Sequence, residues 1–313
     1  MSIKYIHREH LDEEKYNQCI DTSIQSKIYA FSWYLDIVCN NWDVLVLNDY
    51  EAVMPLPWRK KYGIKYVYPP FWVLQLGVFS KDVINENEFL TPLFNKFKFV
   101  ELRTNTHNNF ELYPEFLQFK QCQKLVLNTT YSSILSKYRK DRKKDLQKAA
   151  AADLIEKWND HPSSLIQLFK NNIGKRTPNI KETDYVNLEK LIAICIEKKI
   201  GEILAVYNKE NKLVASVFLL KHKNSITKLI SSTDLNHRKN GANTFLIDRV
   251  IFKYHKDFSE FNFGGSSIKS VASFSKSFGA ETEKYHQLKM NNLPKVLKLF
   301  KKQQVPRRVK LYF

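Results

Sequence analysis

The sequence predicts a mixed α/β (α+β) chain of two domains, and three observations carry that expectation. Its 313 residues are about twice the ~150 of a single domain. Apolar residues make up 43% and aromatics 13%, with only 8 Gly and 10 Pro, which excludes disordered, collagen-like and linker-dominated chains. Segments of helical and strand periodicity alternate, and both halves share a loose order of helix, helix, strands, helix, strand. No short tandem repeat is visible.

In the first half, residues 11–19 and 31–39 space their apolar positions as helices do. Trp42–Leu47, 52–56 and 62–68 read as short strands, the first two separated by Asn48, Asp49 and Tyr50. Residues 89–97 suit a helix, and Phe99–Arg103 and 124–127 suit strands. Thr129 or Thr130 caps a predicted helix over 131–152, whose apolar positions are Ile134, Leu135, Tyr138 and Leu146 and whose outer face is basic. Helices over 163–172 and 185–198 follow, then strands over 202–207, Leu213–His222 and 225–231. A helix over 243–255, a strand over 260–263, a short helix near 271–278, a strand near 285–290 and a basic C-terminal helix complete the pass.

Several classes fall away. The longest apolar stretch, 66–79, is broken by Pro69, Pro70, Gln75 and Gly77, short of the ~18 residues of a membrane span. The start, MSIKYIHREH, lacks the apolar core of a secretory signal, so a cytoplasmic location is expected. Cys19, Cys39, Cys122 and Cys195 form no CxxC pair, which points to reduced, buried thiols. The 8 histidines show neither HxxxH nor HExxH, so no metal is expected.

The formal charge is +18, from 50 Lys+Arg against 32 Asp+Glu, which implies an anionic partner. The charge is clustered. Lys137, Arg139, Lys140, Arg142, Lys143, Lys144 and Lys148 outnumber Asp141 and Asp145, and no acid follows Glu283. Arg59, Lys60, Lys61 and Lys65 form a smaller cluster. The dense helix favours a phosphate-bearing acceptor or an anionic membrane face, with a solvated charged face as the alternative.

Three segments carry candidate chemistry. After Ser231, Ser232, Thr233 and Asp234, the loop to Gly241 and Ala242 opens a helix near Asn243. Its N–H groups and dipole favour an anion, with Arg238 and Lys239 adding charge. The alternative is an ordinary strand-to-helix connection. Next, Phe261-Asn262-Phe263-Gly264-Gly265-Ser266 runs a strand into a Gly-Gly turn, which marks either a close ligand approach or a tight turn. Finally, Phe274 and Phe278 lie one helical turn apart before Gly279, as anchors of a short helix.

In this order YRKDRKKDLQKA (138–149), SSTDLNHRKNGANTFLI (231–247), FNFGGS (261–266) and FSKSFGA (274–280) resemble the FemABX-type branch of the GNAT acyltransferases. YPPFWVLQLGVFS (68–80) is similar to the first-domain counterpart, and the likeness spans about 42–290. The resemblance implies two tandem GNAT-like domains, 1–128 and 129–313, each a mixed, mostly antiparallel sheet flanked by helices. It implies an N-acyltransferase that moves an acyl group from acyl-CoA to an amine of a sugar, lipid or peptide precursor. The FemABX alternative is an aminoacyl-tRNA donor acting on a cell-envelope precursor; a non-catalytic binding module is the third reading.

The resemblance places the donor on Ser231, Ser232, Arg238, Lys239, Gly241, Ala242 and Asn243. Arg139, Lys140, Lys143, Gly264 and Gly265 would meet the acceptor, a phosphate-bearing small molecule or lipid-linked precursor, with peripheral membrane contact. Asp234, Ser275, Lys276 and Tyr285 are the catalytic candidates, with His237 and His286 as further proton carriers. The sequence departs from the pattern at Asn243, at Asn262 where the family has Asp, and at Ser275 where it has the lysine tied to tRNA-dependent transfer. Lys276 stands one residue along, on a different helix face. The aromatic segment 66–79 reads either as core or as a partner surface.

Overall fold

The computed structural model describes residues 2–177, 179–265 and 268–294, the side chain of Arg238 excepted. The expected basic C-terminal helix, Ser266 and the Arg238 side chain lie outside the described residues. The described chain forms two compact units, one holding the residues up to Lys120 and again from Lys284, the other Gln121–Glu283. The sequence division at 128/129 falls just beyond the point where the chain leaves the first unit.

The first unit opens with a strand that the sequence reading missed, β1 (Ile3–His7), paired antiparallel to β2 (Trp42–Leu47). Between them lie α1 (Glu13–Thr22) and α2 (Ser32–Val38). Asp12 caps α1 by accepting from the Lys15 N–H at 3.1 Å, and Tyr16, Cys19 and Ile20 form its buried stripe. β2 is buried along its whole length against β3 (Ala52–Lys61), which turns into β4 (Ile64–Val67). The short β5 (Phe79–Ser80) pairs with β3, and α3 (Leu90–Lys96) leads to β6 (Phe99–Arg103), parallel to β4.

Segment 66–79 is core, not a contact surface. Tyr68, Trp72, Val73, Leu76, Val78 and Phe79 are buried, and the Tyr34 hydroxyl donates to the Trp72 carbonyl at 2.6 Å.

The second unit begins on β7 (Leu117–Val126). The helix expected over 131–152 is two helices, α4 (Tyr131–Ser136) and α5 (Lys140–Ala151). The break has a tertiary cause. Tyr138 turns inward to Asp248 and the Phe278 ring, and the Arg139 N–H donates to the Ser277 carbonyl at 2.9 Å. Next come β8 (Ile155–Trp158), also missed, α6 (Pro162–Asn172) and α7 (Glu182–Glu197). Then β9 (Gly201–Tyr207), β10 (Leu213–His222), β11 (Ser225–Thr233), α8 (Ala242–Tyr254) and β12 (Glu260–Gly265) complete the sheet. Last, α9 (Lys269–Lys276) precedes β13 (Glu281–Asn291), whose far end pairs with β6 in the first unit.

Strands β8 to β11 are antiparallel neighbours, β12 joins β11 in parallel, and β7 is antiparallel to β12. The shared order predicted for the halves is therefore real: two helices, three strands (followed in the first unit by the short β5), a helix, then a strand parallel to the third. A parallel return requires a crossover, and α8 provides it here, packing Leu246, Ile247, Val250 and Ile251 into the core.

Candidate functional site

The geometry turns on where β11 and β12 separate. β10 accompanies β11 as far as Thr233, but β12 pairs with β11 only over Ser225–Thr227. Beyond Thr227 the β12-facing edge of β11 has no strand partner among the described residues. β12 meanwhile follows β7, with a register shift between Asn262 and Gly265. Buried Asn262 builds that bend, its Oδ1 accepting the Gly264 N–H at 2.9 Å while Gly264 adopts φ +77°. A gap between parallel strands presents backbone donors and acceptors to whatever fills it.

At the far end of β11, Asp234 caps the turn that follows. Its Oδ1 accepts the Asn236 N–H at 3.0 Å, and Lys212 and His237 Nδ1 lie at 3.2 and 3.3 Å from Oδ2. Burial pushes its pKa up, but the Asn236 N–H and Lys212 outweigh burial and hold it below the usual range. A short 3-10 helix over Leu235–Asn240 follows, then Gly241 at φ +83° and α8, whose first N–H is taken by Asn240 Oδ1 at 3.2 Å. The later first-turn N–H groups carry the positive end of the helix dipole.

Gly241 is needed for packing. A Cβ there would stand 2.1 Å from the Asp145 carbonyl oxygen on α5, so the glycine permits the close approach of that helix. Ala242 is fully buried, Asn243 partly, and Lys239 is exposed. Ser232 is buried and donates to the Leu168 carbonyl at 3.1 Å, whereas Ser231 stays half-buried on the strand.

Helix α5 is less free than its composition implies. Arg139 is bound by Asp141 at 2.6 Å, Lys143 Nζ donates to the Ser136 carbonyl at 3.1 Å, and Lys140 is exposed. Arg142, which the sequence reading did not single out, turns inward. It pairs with Asp145 at 3.0 Å, donates to Thr244 Oγ1 at 2.7 Å and covers the Phe274 ring, joining α5, α8 and α9. Ala149 and Ala150, the bland end of α5, line an open cavity of about 560 Å³ with Leu146, Leu154, Phe245 and Asp248. Asp248 accepts from Tyr131 and Tyr138 at 2.7 and 3.1 Å, and burial raises its pKa despite those bonds.

The other candidates scatter. Ser275 is 1% exposed and donates back to the Val271 carbonyl at 3.2 Å, the bond of a helix-interior serine. Lys276 is exposed on another face, and Gly265 is exposed at the end of β12. Tyr285, like His286, belongs to the other unit.

Two residues absent from the sequence reading stand at the root of the gap. Lys228, the first residue of β11 beyond the paired segment, has no acidic partner among the described residues, and its ammonium lies 5.9 Å from the Phe263 ring. Burial pushes its pKa down to about 8. Gln123 on β7 is fully buried, and neither atom of its amide has a hydrogen-bond partner. Nothing in a strand sequence separates a solvated lysine from a half-buried one.

Lys228 gives a pH prediction. Below about pH 8 the folded and unfolded states both hold its proton, so the cost of burying the cation is fully present. Between about 8 and the usual lysine value the unfolded state holds more protons, so stability rises with pH. Urea melts should show wild type gaining about 2 kcal/mol over Lys228→Met across that window. Parallel pH profiles would remove the assignment.

No family model matches the chain, and no curated protein sequence matches it. Solved structures do. The chain is similar to FemX at TM-score 0.63 and 10% identity, covering 96% of this chain and 99% of that one. It is similar to the C-terminal domain of a putative lysylphosphatidylglycerol synthetase from Agrobacterium fabrum, with TM-score 0.56, 11% identity and coverage of 93% and 96%. L-PGS from Bacillus licheniformis follows at TM-score 0.51, 14% identity and coverage of 85% and 90%. The fold is therefore FemABX/GNAT-like, as the sequence motifs implied.

Proposed function

We propose that the chain is an N-acyltransferase that uses acyl-CoA as donor and an amine on a phosphate-bearing or lipid-linked precursor as acceptor. One observation carries the reading: parallel β11 and β12 part at Thr227, and β11 leads through the short 3-10 helix Leu235–Asn240 to the N-terminus of α8. A donor laid in that gap would set its carbonyl against the unpaired edge of β11 and its phosphates against the start of α8. The amine lone pair forms the C–N bond, the C–S bond breaks, and the thiolate takes up the proton that the amine loses.

Acyl-CoA is favoured over aminoacyl-tRNA by Ser275. The position where the FemABX pattern has lysine holds a buried hydroxyl turned back on its own helix, and Lys276 does not face the same way. The acceptor is read from charge alone: exposed Lys140 and Lys144 on α5 suit a phosphate.

A thermal-shift series with free CoA, acetyl-CoA and longer acyl-CoA tests the donor. The expected result is a CoA-dependent rise in Tm at millimolar ligand of about 2 °C or more. No shift with any of them, together with charged-tRNA binding of steep salt dependence, would overturn it.

A further inference from the structure

The root of the gap holds a second recognition element. Ile226, Phe261 and Leu125 are partners across β11, β12 and β7 and share the core face. Two residues further along each strand, on that same face, come Lys228, Phe263 and Gln123. The Phe261 and Phe263 rings, 4.6 Å apart, show that β12 keeps this face through its bend. On the opposite face, Cys122 and Lys124 both reach Glu283. A cation without a carboxylate beside the Phe263 ring and an amide without a partner thus share one face where the strands part.

Leaving the buried Gln123 amide unpaired is unfavourable, and a half-buried Lys228 without a counter-charge in the same row adds to that cost, unless a ligand completes them. We propose that Lys228 and Gln123 form a subsite for a carboxylate at the far end of the transferred group, making the donor an acidic acyl thioester of the dicarboxylic class. This rests on the acyl-CoA reading above. Lys228 pairs with one carboxylate oxygen and the Gln123 amide nitrogen donates to the other, while Phe263 covers the methylene chain. The carboxylate takes no part in bond making; it stays ionised while the thioester carbonyl passes to the amine and the thiolate leaves.

Position separates this subsite from a phosphate site. From Lys228 to the end of β11 the strand covers roughly 15–20 Å at ~3.3 Å per residue, so the anion here is not the one at the start of α8. The sign of the charge also selects. An aminoacyl group would bring its α-ammonium towards Lys228, a like-charge approach in a desolvated site.

Isothermal titration of the full chain with succinyl-CoA, butyryl-CoA and free CoA tests the inference, because the two thioesters share chain length and differ in the terminal carboxylate. Succinyl-CoA is expected to bind about tenfold tighter or more, as a charged hydrogen-bonded contact would give. Lys228→Met should bring the ratio to near unity, and Gln123→Leu should lower it. Lys228→Met is also expected to raise Tm, which confirms folding of the variant. Equal binding of the two thioesters, or a preference that survives Lys228→Met, overturns the subsite while CoA binding itself leaves the donor reading standing. Failure of all three ligands to bind removes the donor reading and this subsite together.

Discussion

Gly241→Ala is expected to destabilise the second unit by about 3 kcal/mol, from two separate causes. The first is conformational: φ is +83°, a region costing a non-glycine residue roughly 1 kcal/mol or more. The second is steric. The added Cβ would lie 2.1 Å from the Asp145 carbonyl oxygen and 3.3 Å from the Ala149 nitrogen, both backbone atoms of α5 that no rotamer change can move. The helix itself must shift, and with it the Arg142–Thr244 hydrogen bond that ties α5 to α8. Gly63 is the control. It too has positive φ, at +77°, but a Cβ there meets nothing within 4 Å. Gly63→Ala should therefore lose only the conformational part, about 1 kcal/mol. Urea denaturation of the two variants decides the matter: equal losses would mean that α5 does not depend on Gly241.

Glu202→Gln is expected to lose about 2–3 kcal/mol. Glu202 is 6% exposed and accepts from three groups: Lys221 Nζ at 2.8 Å, Lys253 Nζ and the Tyr254 hydroxyl. Losing its charge leaves two cations facing a neutral amide, one of them stacked 3.6 Å from the Trp158 ring. The figure sits below that for a fully buried pair because the lysine side chains are 26% and 36% exposed and water takes up part of the loss. Pairing Glu202→Leu with Lys253→Met should recover part of the stability, since an apolar replacement removes a charge and its partner together. A Glu202→Gln loss under about 1 kcal/mol in a denaturant titration would show that the cluster is held by packing alone.

Much of the element order was readable because hydrophobic periodicity is local. Trp42–Leu47, Phe99–Arg103 and Leu213–His222 have in the structure the bounds read from sequence, each an apolar run between polar turn residues. β1 and β8 were missed because only four or five residues, none of them fully buried, give too few positions to show a period. The break between α4 and α5 was missed because its cause lies more than a hundred residues away, at Asp248 and Ser277.

The candidate site divided differently. Its strand, basic loop and helix start were visible around 231–243, since turn residues and a left-handed glycine leave a local signature. The roles of individual residues were not. Gly241 faces a helix, Ser275 closes on its own backbone, Arg139 and Lys143 have internal partners, and Arg142 is the one that holds three helices together.

By itself, then, the sequence determined an α/β chain with two similar halves, a clustered excess of positive charge and a FemABX/GNAT-like order of motifs. Only the tertiary structure decided that β11 and β12 part after Thr227, that Gln123 is buried and that Lys228 is half-buried without an acidic partner among the described residues. The reason is physical. Periodicity and capping act between residues a few positions apart, whereas desolvation of a side chain is imposed by strands that meet from distant parts of the chain.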